Sequence, residues 1–273
     1  MLARSPCFGL GITFYGAGPM NSKDSFIGIF DSGVGGLTVW HEARKQMPDQ
    51  SFLYFADRAN APYGEGTKAK TLQLTLESVA FMEPLGLSGL VLACNTATSA
   101  AVKELRNRYD FPVVGMEPAV KPAVAHGEGK VLVLATPLTL REEKFKKLVQ
   151  QVDVQGKVEG IGVSELVRFA ENGVFAGDQV RNYLLKQLGR MSWEDCSAIV
   201  LGCTHFIYFK AALRDIVPEH VAIIDGNAGT VRRLMDQVNE VAGGSKPDQF
   251  YDSKQSVPAT YFGKWLDYLY EHD

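Results

Sequence analysis

"GLVLACNTATSAAVKELR" (Gly89–Arg106) and "AIVLGCTHFIYFKAALR" (Ala198–Arg214) share one grammar. Each runs from a short apolar stretch into a cysteine followed by Asn-Thr or Thr-His, and then into a helical pattern. A strand that turns through a polar corner into a helix is the repeating unit of a parallel α/β sheet. The two cysteines, Cys94 and Cys203, stand 203 − 94 = 109 residues apart, about the length of one domain. The chain therefore reads as two related halves, each placing one thiol at the same kind of corner.

The alternation continues outward from those corners. "SFIGIF" predicts a buried strand ending at Asp31, then a glycine-rich turn and a helix over "LTVWHEARKQM". "QSFLYFAD" and "FPVVGME" predict further strands, and "APYGEGTKAK" a loop that opens the next helix. From "GKVLVLATPLTLREEKFKKLV" the pattern restarts as strand, turn and one helix, with Thr136 near the place Asp31 holds in the first half. "KVEGIG", the helical "SELVRFAENG", "SAIVLGC" and "VAIIDGN" complete the second half. "TVRRLMDQVNEV" predicts a helix that returns to the first half, and "ATYFGKWLDYLYE" closes the chain. The expected division is an extension over 1–24, a discontinuous α/β domain over 25–117 plus 226–273, and a second over 118–225. In parallel sheets the loops at the carboxyl ends of strands build the site, so a cleft between the halves is its expected place.

Composition narrows the class. The 273 residues are 46% hydrophobic and 22% charged with net charge −3, which suits a soluble globular protein and points away from nucleic acid. No apolar run is long enough to span a bilayer, and a cytoplasmic location is expected. Four cysteines in a chain this long read as free thiols rather than a disulfide framework. The stretch before Met20 lacks a signal peptide's apolar core, so Cys7 is expected to be idle. Cys196, with no polar company, reads as a packed small hydrophobe.

A cysteine at a helix start meets the positive end of the helix dipole, which should lower its pKa and favour thiolate. Two such thiols, one from each half, suit inversion of a tetrahedral carbon. A proton leaves one face and another arrives at the opposite face, so two acid/base groups are needed on opposite sides. His205 could manage the proton of Cys203, and Asp31 that of Cys94, although Asp31 also fits as a helix cap. Hydroxyls, Asn95 and backbone N–H groups at helix starts would hold a small amino acid.

"IGIFDSGVGGLTV", "YFADRANAPYG", "LACNTATSAAVKELR" and "LGCTHF" together resemble the glutamate racemases of the cofactor-independent aspartate/glutamate racemase superfamily. The likeness runs from about Phe26 to the region of Asp225. It implies two pseudo-symmetric flavodoxin-like parallel-sheet domains with the active site in the cleft between them, and a homodimer. It implies interconversion of L- and D-glutamate without pyridoxal phosphate or any other cofactor, supplying D-glutamate for peptidoglycan. By motif, Cys94 would take the proton from the D-enantiomer and Cys203 from the L-enantiomer, assisted by Asp31 and His205. Asp57 and Glu171 match further acidic positions. Ser32, Pro62, Tyr63, Gly64, Asn95, Thr96, Thr136, Thr139 and Thr204 match the substrate-binding set. The chain departs from the pattern at Gly66, Glu142, Phe145, Ile207 and Gly226, positions that bear on rate, regulation and the strictness of the glutamate preference.

Three other readings compete: an aspartate racemase, a nucleotide-binding module and a thiol or zinc site. "GVGGLT" follows a strand, and Asp57 lies 24 residues beyond Gly33, but Thr38 stands where the third glycine of G-x-G-x-x-G belongs. Cys94, Cys203 and His205 could hold zinc with one position open, yet no C-x-x-C occurs. No metal is expected.

Overall fold

The computed structural model describes residues 25–153, 156–189, 191–238 and 246–272. The expected extension, with Cys7 and Met20, lies outside the described residues. Ten strands are described: β1 Phe26–Asp31, β2 Phe52–Ala56, β3 Leu87–Leu92, β4 Val113–Gly115, β5 Lys130–Ala135, β6 Val158–Gly162, β7 Cys196–Leu201, β8 Ala222–Ile224, β9 Gln249–Asp252 and β10 Gln255–Val257. The helices are α1 Leu37–Gln46, α2 Lys68–Met82, α3 Asn95–Arg108, α4 Val120–His126, α5 Pro137–Arg141, α6 Glu143–Val152, α7 Glu165–Glu171, α8 Asp178–Leu188, α9 Lys210–Arg214, α10 Asn227–Met235 and α11 Gly263–Glu271.

The strands form two sheets, ordered β10-β9-β2-β1-β3-β4 and β6-β5-β7-β8. All pairings are parallel except the β9–β10 hairpin. The β2-β1-β3-β4 core of the first sheet is matched, strand for strand, by β6-β5-β7-β8. The internal repeat is thus one of topology, and its order is the flavodoxin-like one. In that order the chain leaves the first strand to one side and returns on the other. The crevice so created lies at the carboxyl ends of β1 and β3, and again of β5 and β7. Asp31 and Cys94 flank the first crevice, Thr136 and Cys203 the second.

Side-chain alternation explains why these segments are strands. In the first sheet Ile27, Ile29, Phe52, Tyr54 and Val91 bury into one core layer, while Phe26, Phe30, Leu53, Phe55, Leu90 and Leu92 bury into the opposite one. Parallel strands buried on both faces must read as continuous apolar runs, as these do. The second sheet alternates likewise, with Leu132, Leu134, Ile199 and Leu201 turned toward the core layer shared with the first half. Val131, Val133, Ala198 and Val200 face the outer layer. Each fully buried Phe or Ile contributes about 1.5–3 kcal/mol, so the layers fix the register against slippage.

Two local expectations are corrected. The helix read as continuous through "PLTLREEKFKKLV" breaks at Glu142, whose backbone is extended at φ −67°, ψ 135°. There its carboxylate accepts from Lys68 Nζ at 2.6 Å and from the Ser99 hydroxyl at 3.4 Å. After Cys203 comes a 3-10 helix over Thr204–Phe209, with the short α9 only beyond it. The returning helix α10 does pack on α1, β3 and β4 of the first half. No helix among the described residues is long and apolar enough to cross a membrane.

Candidate active site

The turn after β1 is where the two halves interlock. Asp31 is fully buried; its Oδ1 accepts from the Gly33 N–H at 2.8 Å and its Oδ2 from the Thr204 hydroxyl, across the cleft, at 3.0 Å. Burial pushes this carboxyl up to about 6, although charge on His205 and the two hydrogen bonds pull the other way. It does not cap the following helix: α1 begins from Gly36 without a side-chain cap. A Cβ on Gly33 would run into the Glu171 carboxylate, and one on Gly35 into the Thr204 hydroxyl. The glycines are therefore needed for close approach by the opposite half, a use unlike the phosphate cradle of the competing reading. Tyr54 and Tyr208 donate their hydroxyls to the Gly33 and Val34 carbonyls at 2.5 and 3.0 Å and pin the turn.

Cys94 sits at the N-cap of α3, and its sulfur accepts from the Ala97 N–H at 3.4 Å and the Ser32 hydroxyl at 3.5 Å. The expected depression of its pKa is reversed. Burial, seconded by the negative charge of Asp31, pushes the thiol up to about 12, outweighing both donors. The helix dipole is worth about 0.3–1 kcal/mol near a surface, and desolvation of a buried anion exceeds that. Asp31 therefore acts on Cys94 through its charge, while the hydrogen-bonding neighbour is Ser32. Cys203 is close enough for its charge to act on Cys94 as well.

The second corner is built differently. The Cys203 sulfur lies 3.7 Å from His205 Nδ1, and the other ring nitrogen, Nε2, lies 2.6 Å from Glu171 Oε1. That oxygen also accepts from the Val34 N–H at 2.8 Å, while Glu171 Oε2 accepts from Arg58 Nε at 3.0 Å. Burial alone would lower the pKa of His205, but its bonds to Cys203 and Glu171 win and hold it well above the ordinary histidine range. For Glu171 burial raises and His205, Val34 and Arg58 lower, with a net depression. The result is a continuous chain from thiol to imidazole to carboxylate to guanidinium. Because a 3-10 turn follows Cys203, the helix-dipole argument belongs to Cys94 alone.

The remaining expected residues gather around these corners. The hydroxyls of Thr96, Thr136 and Thr139 form a triangle with edges of 3.0 to 3.3 Å, joining α3 to the start of α5. Thr136 caps α5 by accepting from the Thr139 N–H at 3.3 Å. Gly64 packs directly on the Thr136 side chain, where a Cβ would lie 2.6 Å from the threonine Cβ. Asn95 is buried and its Oδ1 has no hydrogen-bond partner among the described residues, an acceptor left over for a ligand's donor. Asp57 is committed to its own loop: it accepts from the Tyr63 hydroxyl at 2.6 Å and from the Asn60 amide at 3.0 and 3.1 Å. Pro62 lies between them, shaping the segment that brings Tyr63 beside Cys94. Among the departures, Phe145 and Ile207 are half-buried packing residues. A Cβ at Gly66 would meet only the Tyr63 carbonyl, at 3.5 Å.

Arg58, adjacent to Asp57, is the site residue that sequence reasoning missed. Its only local signal is a cation placed between two expected site residues, and its partner Glu171 is 113 residues away. Among the described residues no group of three or more His, Cys, Asp or Glu is arranged to hold a metal ion, so the zinc reading finds no ligand set.

Residues 39–234 match the family model described as Asp/Glu/Hydantoin racemase. The chain is 51% identical over 209 residues to a glutamate racemase of Halothermothrix orenii, covering 76% of this chain and 83% of the relative. Its fold is similar to Escherichia coli glutamate racemase, solved in complex with L-glutamate and the activator UDP-MurNAc-Ala, with TM-score 0.79, 30% identity, and 90% and 95% of the two chains covered. It is also similar to the Thermus thermophilus glutamate racemase, solved with β-chloro-D-alanine, at TM-score 0.74 and 29% identity over 91% and 94% of the chains.

Proposed function

Because the chain belongs to the Asp/Glu/Hydantoin racemase family, we propose that it interconverts L- and D-glutamate by proton transfer between Cys94, Cys203 and the α-carbon. The observation that carries this reading is two buried thiols, one from each half, brought to one turn: Ser32 donates to Cys94, and Thr204, next to Cys203, donates to the adjoining Asp31. In the L-to-D direction the Cys203 thiolate removes the α-proton, with His205 as its charged partner. Cys94, protonated at neutral pH because of its burial, delivers a proton to the opposite face. One C–H bond breaks, one forms, and the two sulfurs exchange protonation states. From D-glutamate the roles swap, and the substrate ammonium beside Cys94 favours the thiolate that burial opposes.

Asn95 Oδ1 offers an acceptor for that ammonium. The threonine triangle, Ser32, Thr204 and the backbone N–H groups at the starts of α3 and α5 offer donors to the carboxylates. The side chains supply every acid and base the scheme needs, so it invokes neither pyridoxal phosphate nor a metal. The lobes that close on substrate are 25–117 with 226–273, and 118–225. The physiological reading is supply of D-glutamate for peptidoglycan by a cytoplasmic homodimer.

Incubation with L-glutamate in deuterated water, without added cofactor, tests the reaction. The circular dichroism signal should decay to zero while deuterium enters Cα. A folded enzyme that leaves the optical signal unchanged defeats the glutamate assignment, and a parallel run with aspartate separates the nearest alternative substrate.

A further inference from the structure

We propose that Arg58 is a positioning residue for the Cys203 half-reaction, fixing the Glu171 carboxylate so that one oxygen faces His205. The inference rests on the racemase reading for its consequence but on geometry for its content. Glu171 offers two oxygens. Oε1 receives both His205 Nε2 and the Val34 N–H, and Oε2 receives Arg58 Nε. A carboxylate can rotate about its last bond; the two donors on Oε1 resist that rotation, and a donor on the second oxygen fixes the carboxylate plane as well. Arg58 adds a second grip through Nη2, which donates to the Glu171 carbonyl at 3.4 Å. Side chain and backbone of Glu171 are thus held by one planar guanidinium, a role that a point-charge lysine fills only in part.

Arg58 is itself clamped from behind by the carboxy-terminal segment. Its Nη1 reaches Asp252 Oδ2 at 3.4 Å and the Tyr261 hydroxyl at 3.3 Å, and its guanidinium lies 5.1 Å from the Trp265 ring centroid. Tyr261 in turn donates to Asp252 at 2.7 Å. The same segment grips the helix carrying Glu171: Trp265 Nε1 donates to the Ala170 carbonyl at 2.7 Å and Lys264 Nζ to the Asn172 carbonyl at 3.2 Å. The pair is only partly exposed, 24% for Arg58 and 17% for Glu171, so water screens it less than a surface ion pair. The β9–β10 hairpin and α11 thus form the backing of a proton-relay chain that ends at Cys203, without touching either thiol.

Two readouts on the full chain test this. Steady-state racemisation should show kcat of Arg58→Met reduced roughly tenfold, as expected for loss of a group that orients an imidazole partner, with KM changed less than about twofold because Arg58 contacts Glu171 and not the ligand-facing groups. Proton NMR should show a downfield imidazole N–H resonance for the His205–Glu171 bond, identified by its absence in His205→Asn. This resonance should broaden or move upfield in Arg58→Met and persist in Arg58→Lys. An unmoved resonance, or an unchanged kcat, in an Arg58→Met protein of wild-type melting temperature overturns the proposal. If Arg58→Met does not fold, the double variant Asp252→Asn/Tyr261→Phe frees Arg58 from its clamp and is judged by the same two outcomes. The resonance is read whether or not the wild-type protein racemises glutamate, so failure of the functional reading and failure of this one remain distinct.

Discussion

The Cys94 corner and the Cys203 corner occupy equivalent places in two sheets of the same strand order, yet they are chemically unlike. Cys94 is met by neutral donors, a hydroxyl and an amide, and lies near a negative charge that opposes its ionisation. Cys203 is met by an imidazole whose far side is anchored to a carboxylate and a guanidinium. The difference teaches that a repeated backbone transmits position and not acidity. The immediate neighbours of each sulfur come from its own half, and the opposite half steadies those neighbours: the Val34 N–H and the Arg58 guanidinium hold Glu171 from the first half, and the Thr204 hydroxyl binds Asp31 from the second. A reaction between mirror-image species, whose equilibrium constant is one, is thus served by two sulfurs with unlike partners.

The largest expected effect removes either member of the comparison. Cys94→Ser and Cys203→Ser should each lower kcat at least about a thousandfold, roughly 4 kcal/mol of barrier. A loss under about tenfold in either variant breaks the claim that both sulfurs are needed. Next comes the asymmetry itself. Because the equilibrium constant is fixed, His205→Asn must lower kcat/KM equally in both directions, so unequal rate constants are the wrong place to look. The α-deuterium isotope effect is the right one. With proton transfer at Cys203 slowed, the isotope effect on kcat/KM should rise when deuterated L-glutamate is the substrate and shrink with the D-enantiomer. Ser32→Ala, which strips the hydroxyl from Cys94, should produce the opposite pattern. Equal isotope effects in both variants would remove the basis for assigning each partner to its own thiol.

The two corners also differ in how much of them the sequence announces. The strands, the Asp31 turn and both cysteine corners are legible because an apolar run ending in a polar, Gly- or Thr-rich turn is a local pattern. Helix α8 carries a helical pattern of its own, with Val180, Leu184 and Leu188 recurring at one-turn spacing; the β9–β10 hairpin carries no comparable signal in "QFYDSKQSV", and β9 is defined by parallel pairing to β2, nearly two hundred residues earlier in the chain. The helix dipole at Cys94 is visible in sequence, whereas the burial that overrides it is a property of packing. Arg58 could be seen as a cation but not as a partner of Glu171, since that contact exists only once the halves meet.

A pH experiment sharpens the role of Asp31, which lies between the corners. Its folded pKa of about 6 is raised above the ordinary 3.8, so the native state binds this proton more tightly than the unfolded chain. Its contribution to stability is therefore fully present below about pH 3.8 and is lost as pH rises through about 6. Asp31→Asn, which cannot ionise, should change the melting temperature more favourably at pH 7 than at pH 4, relative to wild type. A melting-temperature difference independent of pH between 4 and 7 would show that Asp31 ionises in the fold as easily as outside it.

The smallest effect concerns a contact that only the Cys94 corner possesses. Lys68, at the start of α2, pairs with Glu142, which also accepts from Ser99 on the helix begun at Cys94. Lys68 is 54% exposed and Glu142 only 10%, so one partner is screened by water while the other is not. Exposed pairs contribute about 0–1 kcal/mol, and salt weakens them further. Lys68→Met should therefore raise KM by no more than about threefold at low ionic strength, a difference that closes in 0.5 M salt as the Debye length falls below about 5 Å, with kcat and the isotope effects of both corners unmoved. A loss of kcat, or a KM change that survives high salt, would mean that the pair shapes the Cys94 corner directly through Glu142 and Ser99. Cys94 would then depend on charged support after all, and the contrast between the corners would be one of distance rather than of kind.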